Sequence, residues 1–262
     1  MSEPEPSQAP NQTPSSAPVK SETLFYRPTI DPPPLPYDPF KASVVPRPIG
    51  WISTLNPTTG ITNLAPYSQF NNLTYDPPYV MFAANQTPSR SRKDSVANAE
   101  TAGYFGWNLA TYPLREHVNA SAEFLPADVD EFEHAGLARE MGRVYADLPL
   151  VKESPVRFEC QYHATLRLPG NPPMGSVDVV IGRVVGVHIA EWCLTDGKVD
   201  VRKTQPIARL GYYEYTVVRD VFEMVIPGEN EALLAGLEGS VKRTRKLPGK
   251  NEETETEKDE QH

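Results

Sequence analysis

The chain has 262 residues, enough for one sizeable domain with its own core. Its formal net charge of −9 argues against nucleic acid or anionic membrane as the main partner, because neutralising phosphates needs a basic surface. Two cysteines, Cys160 and Cys193, do not suggest a disulfide framework, and no apolar run approaches the roughly 18 residues that cross a bilayer. The acidic, polar start from Met1 to Ala9 has neither a signal-peptide core nor an Arg-rich transit pattern, so the expected location is the cytoplasm.

In chain order, residues 1–22 are rich in Pro, Ser and Glu and are expected to be disordered, since they bury too little to offset ordering entropy. Residues 28–39 hold five prolines between Pro32 and Pro39 and read as extended. Strands over 48–55 and 61–65 flank Asn56-Pro57-Thr58-Thr59-Gly60, a hairpin pattern. A second pair, 68–74 and 79–83, surrounds Asp76-Pro77-Pro78. A helix follows over 91–101, ending near Gly103, then a strand over 104–109. Pro113 suits the first turn of a helix over 114–124, and a short helix covers 129–135. The alternation from Val156 to Leu166 is the clearest strand signal, with Cys160 on its apolar side as a buried thiol. Residues 177–189 form a longer strand, bent at Gly182 or Gly186. A short helix over 230–237 and an acidic, disordered tail over 245–262 close the chain. The expected organisation is a tail (1–22), one domain (23–228) and a C-terminal segment (229–262). Many strands with few helices imply a mainly β fold, a barrel decorated by helices; nothing supports a doubly wound sheet.

The segment richest in chemistry is Thr87-Pro88-Ser89-Arg90-Ser91-Arg92-Lys93-Asp94-Ser95. Ser91 followed by Asp94 resembles a capping box and marks a helix start, with unpaired N–H groups and a partial positive charge. Arg90, Arg92 and Lys93 crowd that end, which costs a few tenths of a kcal/mol each, up to ~1, unless an anion compensates them. Helix start, cations and hydroxyls together suit a phosphate; the plainer alternative is a solvated charge cluster. Two further stretches, residues 47–54 and 63–71, place small and hydroxyl residues on strands, where a planar ligand needs close backbone approach. Hydroxyls on strands are common, and a strand tryptophan such as Trp51 is more often core than ligand contact. His117, His134, His163, His188 and His262 lack metal-ligand spacing and read as surface or strand residues. Glu131 and Glu133 read as a solvated helix face. Neither Gly-x-Ser-x-Gly nor Gly-x-Gly-x-x-Gly is present, which argues against a hydrolase elbow and a separate dinucleotide domain.

Taken together, Arg47-Pro-Ile-Gly-Trp-Ile-Ser-Thr54, Asn63-Leu-Ala-Pro-Tyr-Ser68, Asp76-Pro-Pro78, Lys93-Asp-Ser95, Phe105-Gly-Trp-Asn-Leu109, Asp196-Gly-Lys-Val-Asp200 and Pro206-Ile-Ala-Arg-Leu-Gly-Tyr212 resemble the flavin reductase-like family with its FMN-binding split barrel. The likeness spans roughly residues 40–226. It implies a homodimer with one FMN per subunit near the interface. It places Trp51, Ser53 and Thr54 by the flavin or its ribityl chain, and Ser68 and Asn71 toward the isoalloxazine ring. Ser89, Arg90, Ser91, Lys93, Asp94 and Ser95 would hold the phosphate. Arg209 lies in a motif near the flavin, although Ala-Arg-Leu-Gly-Tyr replaces the usual Gly-Arg-Leu-Gly-Gly. The implied activity is NAD(P)H-dependent: hydride passes to flavin N5 and electrons go on to a second acceptor, a small molecule or a protein, with no dedicated catalytic side chain and no metal. Alternatives are an FMN-binding electron carrier without NAD(P)H turnover, and a non-enzymatic interaction protein using the barrel as scaffold.

Overall fold

The computed structural model describes residues 23–87 and 91–224. Both expected tails, the expected helix at 230–237, and Ser89 and Arg90 lie outside the described residues. In chain order the elements are α1 (Phe40–Ser43), β1 (Arg47–Pro48), β2 (Gly50–Leu55), β3 (Thr62–Tyr67), β4 (Phe70–Tyr75), β5 (Pro78–Asn85), α2 (Asp94–Ala102) and β6 (Tyr104–Asn108). There follow α3 (Arg115–Ala120), α4 (Glu131–His134), β7 (Arg139–Met141), β8 (Pro149–Val151), β9 (Val156–Leu168) and β10 (Val177–Ile189). The last are β11 (Leu194–Thr195), β12 (Lys198–Val199), α5 (Val201–Thr204), β13 (Ile207–Arg209) and β14 (Tyr215–Val217).

Seven strands form one antiparallel sheet in the order β3-β2-β6-β9-β10-β5-β4. Both expected hairpins are present, with Thr54 opposite Asn63 in the first and Phe70 opposite Phe82 in the second. The sheet curls until its edges approach each other. Phe70 of β4 stacks on Trp107 of β6 with ring centroids 5.5 Å apart, and Tyr67 of β3 meets Phe82 of β5 at 5.1 Å. Gly50 makes room for this closure, since a Cβ there would lie 2.7 Å from Phe70 Cδ2. Among the described residues β3 and β4 are not hydrogen-bonded to each other, so the barrel is open along that seam.

Alternation divides the core in two. Ile52, Phe82, Phe105, Trp107 and Val180 fill the inside, with Val96 and Ala99 of α2 closing one end. Trp51, Leu64, Val118, Phe132 and Val151 form a second cluster outside the wall, under α3, α4 and β8. Each fully buried aromatic or aliphatic side chain contributes roughly 1.5–3 kcal/mol, so both clusters matter to stability. The expected bend in β10 occurs at both glycines: its pairing with β9 shifts between Ile181 and Gly182 and again between Val184 and Gly186. A Cβ at Gly182 would run into the Phe105 ring.

Three local expectations need correction. The helix expected at 91–101 begins at Asp94, with Lys93 as its N-cap and no side-chain cap, so Ser91 and Asp94 do not form a capping box. Ser91 is drawn instead into a turn with Thr87, their hydroxyls 2.5 Å apart and Ser91 N donating to Thr87 Oγ1 at 3.1 Å. The helix expected at 114–124 is a 3₁₀ turn, Tyr112–Leu114, running into α3, which stops at Ala120. There Ser121 donates to the Val118 carbonyl at 3.0 Å and accepts the Trp51 indole N–H at 2.9 Å, spending its hydroxyl on the wall. The proline-rich stretch is not uniformly extended: a turn over 27–31 is held by Asp31, which accepts the Arg27 N–H at 2.6 Å and its guanidinium at 2.7 Å.

Candidate functional site

The site grows from the way α2 sits on the barrel end. Its apolar residues Val96 and Ala99 point inward, which brings Ser95 and Asn98, both buried, against β2 and β3. Asn98 Nδ2 donates to Thr54 Oγ1 at 3.2 Å, and Ser95 Oγ donates to Asn63 Oδ1 at 2.7 Å. The Tyr67 hydroxyl donates to Ser95 Oγ at 3.0 Å. Asn63 Nδ2 then reaches Glu131 Oε1 at 2.7 Å, while Asp130 caps α4 and accepts the Thr62 hydroxyl at 2.5 Å. A buried chain satisfied at each link specifies one arrangement, because an orphaned member costs roughly 1–3 kcal/mol. Burial pushes the Tyr67 phenol up to about 12, so it remains a neutral donor. Burial likewise raises the Glu131 carboxyl, against the opposing hydrogen bonds that favour its ionised form.

Beside this network lies a cleft of about 180 Å³ lined by Tyr67, Lys93, Asp94, Ser95, Phe124 and Glu131. The start of α2 opens into it without a side-chain cap, leaving N–H groups available to an acceptor. Lys93 Nζ stands 4.5 Å from the Phe124 ring centroid at the same mouth. Lys93 brings positive charge to this mouth, while Asp94, the first residue of α2, and Glu131 are the acidic groups on its walls. Of the three expected cations, Lys93 faces the cleft, Arg90 lies outside the described residues, and Arg92 turns away to pair with Glu100 and, at 3.8 Å, with Asp178.

The other expected residues are dispersed. Thr54, Asp94 and Ser95 belong to the network or the cleft, and Ser91 shapes the approach to α2. Trp51 and Ser53 lie on the opposite face of β2, wholly enclosed, Ser53 accepting from Asn108 Nδ2 at 3.1 Å. Their side chains support the wall and do not line the cleft. Ser68 is half-buried beside Gln69, and Asn71 is exposed on β4, its Oδ1 accepting the Asn72 N–H at 2.9 Å. Arg209 packs over Tyr215, its guanidinium 4.5 Å from the ring centroid, and donates to the Tyr212 carbonyl. Tyr212, which stands where glycine is usual in the related motif, has φ 54°, a left-handed conformation that costs a side-chain-bearing residue roughly 1–2 kcal/mol.

Sequence reasoning missed Asn63, Tyr67, Asn98 and Glu131. Asn63 and Tyr67 stand two and four residues apart from Ala65 and Asn63 on one face of β3, a period-two signal that pointed to them. Glu131 is buried, correcting its reading as a solvated residue; Glu133, beside it, is exposed.

The sequence signature described as "Flavin reductase like domain" matches residues 42–203. Among solved structures, nitrilotriacetate monooxygenase component B from Bacillus cereus is 29% identical with a TM-score of 0.70, covering 77% of this chain and 98% of its own. The 2-nitrobenzoate 2-nitroreductase NbaA of Pseudomonas fluorescens is 25% identical with a TM-score of 0.62, covering 72% and 88%. A split-barrel-domain protein from Shewanella frigidimarina, 22% identical with a TM-score of 0.61 over 72% and 90%, shares the fold. Among the described residues no helix is long and apolar enough to cross a membrane.

Proposed function

Because the chain belongs to the flavin reductase-like family, whose signature covers residues 42–203, we propose that it is an FMN-binding oxidoreductase that takes hydride from NAD(P)H and passes electrons to a second acceptor. A bound flavin supplies the hydride and electron chemistry, and the chain supplies binding, orientation and exclusion of water. Lys93 and the free N–H groups opening α2 would hold the phosphate, with Ser95 fixed behind them by Asn63 and Tyr67. Ser68 and Asn71 would lie toward the ring, and Ser89 and Arg90 would add to the phosphate end. The cofactor-bearing unit is residues 23–228, acting as a cytoplasmic homodimer with the flavin near the interface.

The observation that carries this reading is the α2 start, uncapped by any side chain and flanked by Lys93 at the mouth of a cleft. The test is an absorbance spectrum of the purified protein with and without added FMN, followed by anaerobic addition of NADH and of NADPH. Flavin uptake and rapid bleaching by one nicotinamide are expected. Absence of FMN uptake overturns the assignment. Uptake without bleaching by either donor replaces the reductase with an electron carrier.

A further inference from the structure

Asp178, on β10, has no part in the cleft, yet it is an acidic side chain only 1% exposed in the middle of basic and polar neighbours. Its Oδ1 accepts Arg167 Nε at 2.7 Å, and its Oδ2 accepts Gln86 Nε2 at 3.4 Å. Arg92 Nε faces the same Oδ2 at 3.8 Å, an ion-pair separation, and is enclosed without a hydrogen-bond acceptor of its own. Gln86 and Arg92 are the two ends of the segment that leads from β5 into α2. One carboxylate therefore ties both ends to β10.

Two further links make the clasp rigid. Gln86 N donates to the Ser176 carbonyl at 2.9 Å, which stitches the exit of β5 to the approach of β10. Inside the clasp, Thr87 N donates to the Ser91 carbonyl at 3.0 Å and their hydroxyls meet. Arg92 is held from its other side by Glu100 of α2, whose carboxyl is kept below its ordinary range chiefly by that contact. Lys93 comes next in the chain, so the position of Arg92 sets where Lys93 and the first N–H groups of α2 stand. Without the carboxylate, Arg92 and Arg167 lose their shared counter-charge, and among the described residues no other charged side chain joins Gln86 to Arg92.

We propose that Asp178 is a positioning residue for the phosphate end of the flavin site: by clasping Gln86 and Arg92 it fixes the start of α2, and so sets the preference for FMN over riboflavin. This rests on the flavin-binding reading above. It adds a residue that touches no ligand and acts through the backbone leading to Lys93.

The test measures FMN and riboflavin affinity side by side, by quenching of flavin fluorescence, for the wild-type protein, Asp178→Asn and Arg92→Gln. Arg92→Gln cuts the clasp from its other end while leaving Asp178 its contact with Arg167. Both variants should lose about tenfold or more in FMN affinity with riboflavin affinity unchanged, as expected when charge-assisted contacts to a phosphate are misplaced. The double variant should lose little more than either single one. Unchanged FMN affinity in both, or equal losses for FMN and riboflavin in both, overturns the proposal, the latter because a merely structural role would weaken both flavins alike. If Asp178→Asn does not fold, Arg92→Gln alone decides between these outcomes. Wild-type protein that binds the two flavins equally refutes the phosphate site itself, a separate failure.

Discussion

Replacing Lys93 by alanine separates stability from binding, because its two effects on the fold offset each other while its effect on binding does not. Lys93 is the N-cap residue of α2 and makes no side-chain cap there, so the folded state loses only its contact with Phe124, at 4.5 Å from the ring centroid. That contact is worth roughly 0.5–1 kcal/mol at an exposed site, and removing a cation from a helix N-terminus returns about 0.3–1 kcal/mol. The melting temperature should therefore hardly move. Toward FMN, a charge-assisted contact to phosphate is worth about 1.5–3 kcal/mol, from which the forfeited Phe124 contact is subtracted. The net loss is about 1–2 kcal/mol, or roughly 5- to 30-fold in Kd. Titration of flavin fluorescence at two salt concentrations checks it. The wild-type affinity should fall with added salt more steeply than the variant's, and riboflavin should bind both alike. Equal losses for FMN and riboflavin, or no loss at all, would refute the placement of the phosphate beside Lys93.

Three other substitutions test the frame. Asn108→Ala removes donors to the Trp51 carbonyl and Ser53 Oγ, both at 3.1 Å, and the acceptor of Val151 N–H at 2.8 Å; urea denaturation should show a loss of about 2–4 kcal/mol, and a loss under about 1 kcal/mol would contradict this buried junction. Gly106→Ala puts a Cβ 2.7 Å from Leu150 Cδ2 and onto Ser53 Oγ, so it should destabilise by about 1–3 kcal/mol, unless β8 does not lie on this wall. Glu131→Gln tests burial through pH. With its folded carboxyl raised, Glu131 gives its full contribution below the unfolded value of about 4.3 and loses it as the pH climbs through the folded value. The variant keeps an oxygen for Asn63 and should gain on wild type from about pH 4 to 7, whereas a gap constant across that range would show a carboxyl that burial does not perturb.

The strands were legible because a period of two needs only neighbouring residues. Val156 to Leu166 alternates as the pleat requires, and the two glycines of β10 stand where its register shifts. Local competition hid the start of α2: Ser91 had both a capping pattern and, four residues back, a hydroxyl partner in Thr87, and the turn won. Distance in the chain hid Glu131. Its partner Asn63 lies 68 positions away, and no pattern within α4 distinguishes a carboxylate facing β3 from one facing water.

The pair Ser53 and Thr54 shows what a likeness between sequences leaves undetermined. Both stand in one string with Trp51, and the resemblance assigns all three to the cofactor. A strand sends successive side chains to opposite faces, so consecutive residues cannot both present side chains to one ligand. The structure divides them accordingly: Thr54 joins Asn63 and Asn98 at the α2 end, while Ser53 meets Asn108 beside Leu150 and Trp51 donates to Ser121 in the outer cluster. The string is thus two devices written in alternation. One set of side chains seats α2 against β2 and β3; the other packs α3 and β8 against the outside of the same wall.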